Sequence, residues 1–334
     1  MRKVIFLCLT LFFVNSLNAA KIASLPGILK PEEINVDENR VYISNQNGVS
    51  VFSPGKLKLT GKIGKRGEGP GEFLFTPHVQ ILTGTLFLYT SRKFSFFNKA
   101  GELQEEKSLS FPVLNANSIG SNYITNQWTY VDNRAFSEII LYDRDLKKIK
   151  SLHKSKKEVN IKKIFEKIPF VSHVLKFQCW GNKIYFMDSK KGFVIEVYDA
   201  SGNHLSTIRR EYEKIKITSS DKKRIIEEFK NKPFVKNRWS FLKKYADKFE
   251  SMFPEYFPAV DDFIVTDDKI YVKTYKSQNK KDEYIILGLN GDIEKRVFLP
   301  WVGNRLYSIK NGRFYYLREN EEAELWELHS MDIK

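Results

Sequence analysis

Residues 61–73 read GKIGKRGEGPGEF, which gathers five of the chain's 18 glycines and one proline into thirteen positions. Such a stretch either cradles a phosphate or turns the backbone through a corner, and the two outcomes imply different folds. A dinucleotide-binding loop needs G-x-G-x-x-G between a strand and a helix. Gly67 and Gly69 begin that pattern, but Glu72 stands where the last glycine belongs. Pro70 and Pro77 bracket the residues that follow and block the helix whose N-terminus would hold the anion. The stretch also lacks the Gly-Lys-Ser/Thr of a nucleoside triphosphate loop. The glycines therefore turn a corner, and the flanking sequence says what they connect.

Outward from this stretch the chain repeats. A triplet of aromatic and β-branched residues returns six times, centred on Tyr42, Phe87, Ile124, Tyr185, Tyr271 and Tyr315. Most copies follow a polar turn such as Asp37-Glu38-Asn39 or Gly181-Asn182-Lys183, so each reads as a strand entered from a turn. A second apolar run follows each triplet, as at 94–97, 195–198 and 285–288, and most end in the Gly, Asn or Asp residues that tight hairpins favour. Further short strands flank these pairs, as at 79–82 and 103–109. Four antiparallel strands repeated six times is the pattern of an all-β fold, the six-bladed β-propeller, whose radial sheets bury their faces against one another. In that frame residues 61–73 lie after the outermost strand of one blade and before the innermost strand of the next. There the chain crosses from rim to axis, and glycine permits the close, left-handed path.

Triplet spacing locates two insertions. The intervals of 45, 37 and 44 residues from Tyr42 to Phe87, Phe87 to Ile124 and Tyr271 to Tyr315 suit single blades. Those from Ile124 to Tyr185 and Tyr185 to Tyr271 are 61 and 86. The excess falls at 153–170 and at about 212–257, the second between blades 4 and 5. In the latter, Ser219 or Ser220 is positioned to cap a short helix carrying Ile225, Ile226 and Phe229. Trp239, Leu242, Tyr245, Phe249 and Met252 then recur at helical spacing before Pro254, a stripe expected to pack against the propeller.

The two ends carry their own signals. A charged Met1-Arg2-Lys3, an apolar run from Val4 to Val14 and small residues at Ala19 and Ala20 form the pattern of a signal peptide over residues 1–19. The expected product is an exported chain, 20–334, in the periplasm or outside the cell, with no transmembrane segment in its mature part. Cys8 lies inside the apolar run behind Leu7, which argues against a lipid anchor. The mature part then has one cysteine, Cys179, so no disulfide within the chain and no C-x-x-C metal site are expected. The sixth repeat reaches residue 334 after only three strands. An open blade would expose an unpaired edge, and the alternating Lys21-Ile22-Ala23-Ser24-Leu25 is the expected filler of the slot.

The glycine stretch also carries a resemblance. G-x-x-G-x-G-P-G-E-F from Gly64 to Phe73, followed by Pro77, together with the triplets and the Asp/Asn-x-x-Gly turns, resembles the NHL-type repeat of bacterial exported six-bladed β-propeller proteins. Phe253-Pro254-Glu255-Tyr256-Phe257-Pro258 is similar to a segment of that group as well. The glycine motif is complete once, while the strand pattern covers most of 31–334. The resemblance implies a fold and a binding role, not one reaction.

Local catalytic signatures are missing: the five histidines show no H-E-x-x-H or H-x-H spacing, and there is no G-x-S-x-G elbow. No metal or cofactor is expected. His78 and His173 fall near the starts of first strands, where side chains approach the channel mouth. Arg66, Arg92 and Arg305 lie in or beside turns and are further ligand-binding candidates for that mouth. Asp261-Asp262 and Asp267-Asp268 read first as turn residues. Charge is more informative. Without residues 1–19 the chain has 53 basic and 40 acidic residues, net +13, of which residues 153–170 supply +4 and 212–257 supply +5. Lys162, Lys163, Lys243 and Lys244 are the candidates for contact with an anionic partner. Two readings follow. The favoured one is a binding scaffold that uses one propeller face toward a protein, a polysaccharide or an anionic surface, with nucleic acid not expected. The alternative is a lyase or glycan hydrolase with a polar site at the channel mouth.

Overall fold

The computed structural model describes residues 19–333 apart from 54–56, 132–133, 158–169, 172, 174, 232–234, 236–238, 244–248, 250–251 and 304. The signal-peptide reading at 1–19 therefore falls almost wholly outside the described residues, as do Lys162, Lys163 and Lys244.

Six four-stranded antiparallel sheets make up the fold, with the helical segment between the fourth and fifth. It is a six-bladed β-propeller. Blade 1 runs Glu33–Val36, Val41–Asn45, Gly48–Phe52, Leu59–Ile63, and blade 2 runs His78–Ile81, Thr85–Thr90, Lys93–Asn98, Leu103–Ser108. Blade 3 runs Asn115–Ile119, Asn122–Val131, Arg134–Tyr142, Lys148–Lys157, and blade 4 runs Leu175–Trp180, Lys183–Asp188, Phe193–Asp199, His204–Arg210. Blade 5 runs Asp262–Thr266, Lys269–Gln278, Lys281–Gly288, Ile293–Pro300. Every triplet lies in a second strand. Those strands are buried on both faces, since each blade is covered by a neighbour on either side, and this produces near-continuous apolar runs. Six apolar clusters, one at each junction between neighbouring blades, close the ring.

Blade 6 is built from both ends of the chain. Tyr307–Lys310, Arg313–Asn320 and Leu325–Asp332 supply three strands, and Ala20–Leu25 adds the fourth, with Ser24 opposite Glu327 and Leu25 opposite Trp326. The expected clasp is present. Leu25 is 1% exposed in the junction of blades 6 and 1, and the Lys21 ammonium lies 2.6 Å from the Glu327 carboxylate. Hydrogen bonds from Asn320 and Lys21 and the neighbouring His329 hold the Glu327 pKa at about 2.

The glycine stretch turns the expected corner from the rim of blade 1 to the axis. Gly64 (φ 67°) lies against the Phe73 ring, where a Cβ would come within 2.5 Å of the ring. The amide of Gly71 donates to the Glu106 carboxylate of blade 2 at 2.9 Å, and Lys93 donates to the carbonyls of Gly69 and Glu72 at 3.1 and 3.2 Å. An internal carboxylate thus takes one of the amides that a phosphate would have sought.

The insert holds the helix Ser219–Asn231 and the short Trp239–Leu242. The cap is Thr218 and not a serine. Its hydroxyl accepts from the Asp221 amide at 3.2 Å while the Asp221 carboxylate accepts from the Thr218 amide at 3.0 Å, a reciprocal capping arrangement. Phe170, from the first insertion, packs on Phe229, Phe249 and Phe253 at about 5 Å between centroids. Of the stripe, Trp239 and Phe249 pack on each other, and Phe249 on Phe170 and Phe229, within the insertions rather than on a blade; Tyr245 lies outside the described residues. The first insertion begins later than 153, because His153 belongs to the strand Lys148–Lys157.

Two outcomes test this arrangement. Deleting residues 21–25 should lower the melting temperature and broaden the transition, and Leu25→Ala alone should cost about 2–5 kcal/mol. The Glu327 carboxyl, ordinarily near 4.5, is depressed to about 2 in the fold. Its contribution is therefore present above about pH 4.5 and lost as pH falls toward 2. Thermal melts of Lys21→Met across that range should show a shallower loss on acidification than the parent.

Candidate functional site

In each blade the innermost strand runs along the axis, and its residues alternate between the blade junction and the channel. Ile34, Val79, Ala116, Phe177, Phe263 and Ile309 point into the junctions. Glu33, Asn35, Gln80, Asn115, Asn117, Lys176, Gln178, Asp262 and Ser308 line a cavity of about 750 Å³. The channel is open and polar rather than plugged by aromatics. The lining aromatics each donate into the polar network: Tyr89 to Asn115 at 2.5 Å, Trp180 to Asp268 at 2.8 Å, and Tyr307 to Asp262 at 3.1 Å.

One mouth lies where the first strands begin. There the Glu33 carboxylate meets His78 Nδ1 at 2.7 Å, and Arg305, from the connection into blade 6, places its guanidinium 2.7 Å from His78 Nε2 and 4.0 Å from Glu33. The Asn35 amide donates to the other Glu33 oxygen at 2.7 Å. Burial pushes the Glu33 pKa up, but the hydrogen bond and charge of His78, the charge of Arg305 and the Asn35 amide outweigh it and hold the carboxyl below its usual range. Across the mouth Lys176 pairs with Asp262. The assembly is a fixed array of charges and amides. The Arg305 side chain is 43% exposed, so its guanidinium is reachable by a ligand entering from this side.

The structure brings His78 and Arg305 together and adds Glu33, Asp262 and Lys176, which the sequence reading did not single out. Arg66, in the short strand Lys65–Arg66, and Arg92, in the turn between second and third strands of blade 2, are exposed and do not line the channel. His173 is exposed just before Leu175–Trp180 and likewise does not line it. All three nevertheless stand on the face of this mouth, because connections from fourth to first strands and turns from second to third strands all lie there. Both insertions join at this face too, and Lys243 is exposed within the second.

The two aspartate pairs divide. Asp262 faces the channel, whereas Asp261 pairs with Lys273 at 3.0 Å; Lys273 also pairs with Asp282 at 3.0 Å, in a second cavity of about 490 Å³ beside the helix. Burial outweighs Lys273 and leaves the Asp261 pKa raised. Asp267 and Asp268 are turn residues with φ of 52° and 55°. Among the described residues no cluster of His, Cys, Asp or Glu is placed to hold a metal ion, and no helix is long and apolar enough to cross a membrane.

No family model matches the chain, and no curated protein matches it. Solved structures similar to it include the WD40 domain of Neurospora crassa Pan2, at 8% identity over 96% of this chain and 97% of that one, TM-score 0.45. BamB from Moraxella catarrhalis aligns at 8% identity over 89% and 83%, TM-score 0.36. Hydrazine synthase of Kuenenia stuttgartiensis aligns at 13% over 86% and 76%, TM-score 0.43.

His78→Phe tests the mouth cluster. With the imidazole removed, burial should dominate and carry the Glu33 pKa upward, so the carboxyl protonates at higher pH and its contribution to stability disappears earlier on acidification. Carbon-detected NMR titration of the labelled carboxyl measures this, and an unmoved Glu33 titration would contradict the assignment.

Proposed function

We propose that the chain is an exported binding scaffold of the NHL-like propeller type, which engages an anionic partner with the face bearing the Glu33–His78–Arg305 mouth. One observation carries the reading: the basic second insertion joins the ring on the same face as that mouth, where the lysine-rich end of the strand Lys148–Lys157 and the first insertion also lie. The topology requires it, since a four-stranded antiparallel blade returns the chain to the side on which it began. The turns on the opposite face mix both signs: Asp37, Glu38 and Asp267 pair there with Lys99 and Lys310, and Asp143 and Asp145 stand beside Arg144 and Lys147. On the binding face Lys214, Lys223 and Lys243 are exposed in the second insertion, and Lys190 and Lys191 in a turn of blade 4. Fields of this kind raise the encounter rate with anionic surfaces and weaken with salt. A polar, open channel suits the reading, because it supplies donors at the centre of the contact.

Charge reversal at Lys162, Lys163, Lys243 and Lys244 should lower the salt concentration at which the protein elutes from an immobilised sulfated polysaccharide, and flatten the salt dependence of binding. Elution unchanged from the parent would contradict the proposal.

A further inference from the structure

The exposed large apolar side chains are distributed by topology. Leu59, Ile149, Leu205 and Ile293 lie on the outermost strands, at the rim. The others belong to the face of the charged mouth, in connections between blades or at the end of a second strand. Leu29 is 71% exposed in the connection into blade 1, Phe75 66% in that into blade 2, and Leu114 50% in that into blade 3. Trp128 and Tyr130, 41% and 66% exposed, lie near the end of the Asn122–Val131 hairpin strand, and Trp301 is 47% exposed after blade 5. Among the described residues the turns of the opposite face carry no exposed large apolar side chain; the nearest are Leu59, Ile149, Leu205 and Ile293, in the first two residues after those turns.

These tips are separated around the ring, and exposed cations stand between them: Lys30, Lys65, Arg92, Lys191, Lys276 and Lys280. Lys276 and Lys280 ride on the hairpin of Lys269–Gln278 and Lys281–Gly288, whose turn residues Asn279 and Lys280 have φ of 51° and 57°. Exposed acids share this face, among them Glu32, Glu68, Glu213 and Glu255, and they are densest in the turn of blade 6, with Glu321, Glu322 and Glu324, so the contact side is the arc of blades 1 to 5.

We propose that this face docks on an anionic lipid bilayer, with the apolar tips entering the headgroup region and the lysines resting on the phosphates. The proposal rests on the reading that this is the binding face, and it names the partner. Tips spread around the ring, singly or in small groups such as Trp128 with Tyr130, suit a fluid surface that accommodates each one independently. A rigid protein partner would need a separate pocket for every tip, and protein contacts favour a contiguous apolar centre. Trp and Tyr in particular settle at the interface between headgroups and acyl chains, with an apolar ring below and a polar atom above. Basic side chains beside them add attraction to anionic headgroups.

The test uses sedimentation with vesicles of phosphatidylcholine alone and of phosphatidylcholine with phosphatidylglycerol, on the parent, on Phe75→Ser/Tyr130→Ser/Trp301→Ser, and on the charge-reversed protein. These tips are exposed, so the triple variant should melt like the parent. The parent should bind the anionic vesicles and be quenched there by lipids brominated near the headgroup. The triple variant should lose at least about tenfold in vesicle affinity yet elute unchanged from the sulfated polysaccharide, whereas charge reversal should weaken both. Equal vesicle binding by the triple variant and the parent overturns the proposal. So does a parent that binds the polysaccharide but not the vesicles, which would leave the anionic reading standing and remove the bilayer. Concentration-dependent dimerisation abolished by the triple variant, without vesicle binding, also overturns it, in favour of a second copy.

Discussion

Because each blade has four antiparallel strands, its last strand ends on the face from which its first began, and the chain enters every new blade from that same side. This parity sorts the molecule into two unlike faces. Insertions between blades can lengthen one face only, and both insertions do so. The parity holds in blade 6 because Ala20–Leu25 supplies its fourth strand. Without that strand the ring would carry an open edge and an uncovered apolar junction at Ile34, Ile43 and Leu328.

Packing and polarity meet in the innermost strands. With a period of two, one residue builds the junction and the next faces the channel, so the rigidity of the six junctions fixes the array of charges at the axis. Glu33 illustrates the balance: its site is buried enough to disfavour a charge, and His78, Arg305 and Asn35 reverse the preference. An array held this way needs little reorganisation to meet a ligand.

Much of the fold was legible in the sequence because its signals are local. The triplets, the turns after them and the glycine corner each span a few residues, and the incomplete sixth repeat pointed to the N-terminal strand. The channel mouth was less legible, since its partners are remote. His78 lies 45 residues from Glu33 and 227 from Arg305, and the turn arginines Arg66 and Arg92 carry the same local signal as Arg305 without reaching the axis. Glu33 stands at a strand start in a Pro-Glu-Glu context that reads as ordinary surface. The alternation of Glu33, Asn35 and Asp37, repeated by Asn115 and Asn117, was a signal of the polar channel that strand polarity alone could have revealed. The apolar tips were illegible for a different reason: isolated leucines and aromatics in a sequence are read as core, and only the topology shows that Leu29, Phe75, Leu114 and Trp301 share a face.

The account stands on that face being the one that makes contact. Hydrogen exchange followed by mass spectrometry, on the whole protein with and without phosphatidylglycerol-containing vesicles, measures it directly. Protection should rise in residues 26–32, 73–77, 109–114 and 276–281 and stay unchanged in the turns at 37–40, 143–147 and 199–203. Protection confined to the latter turns, or spread equally over both faces, would contradict the account.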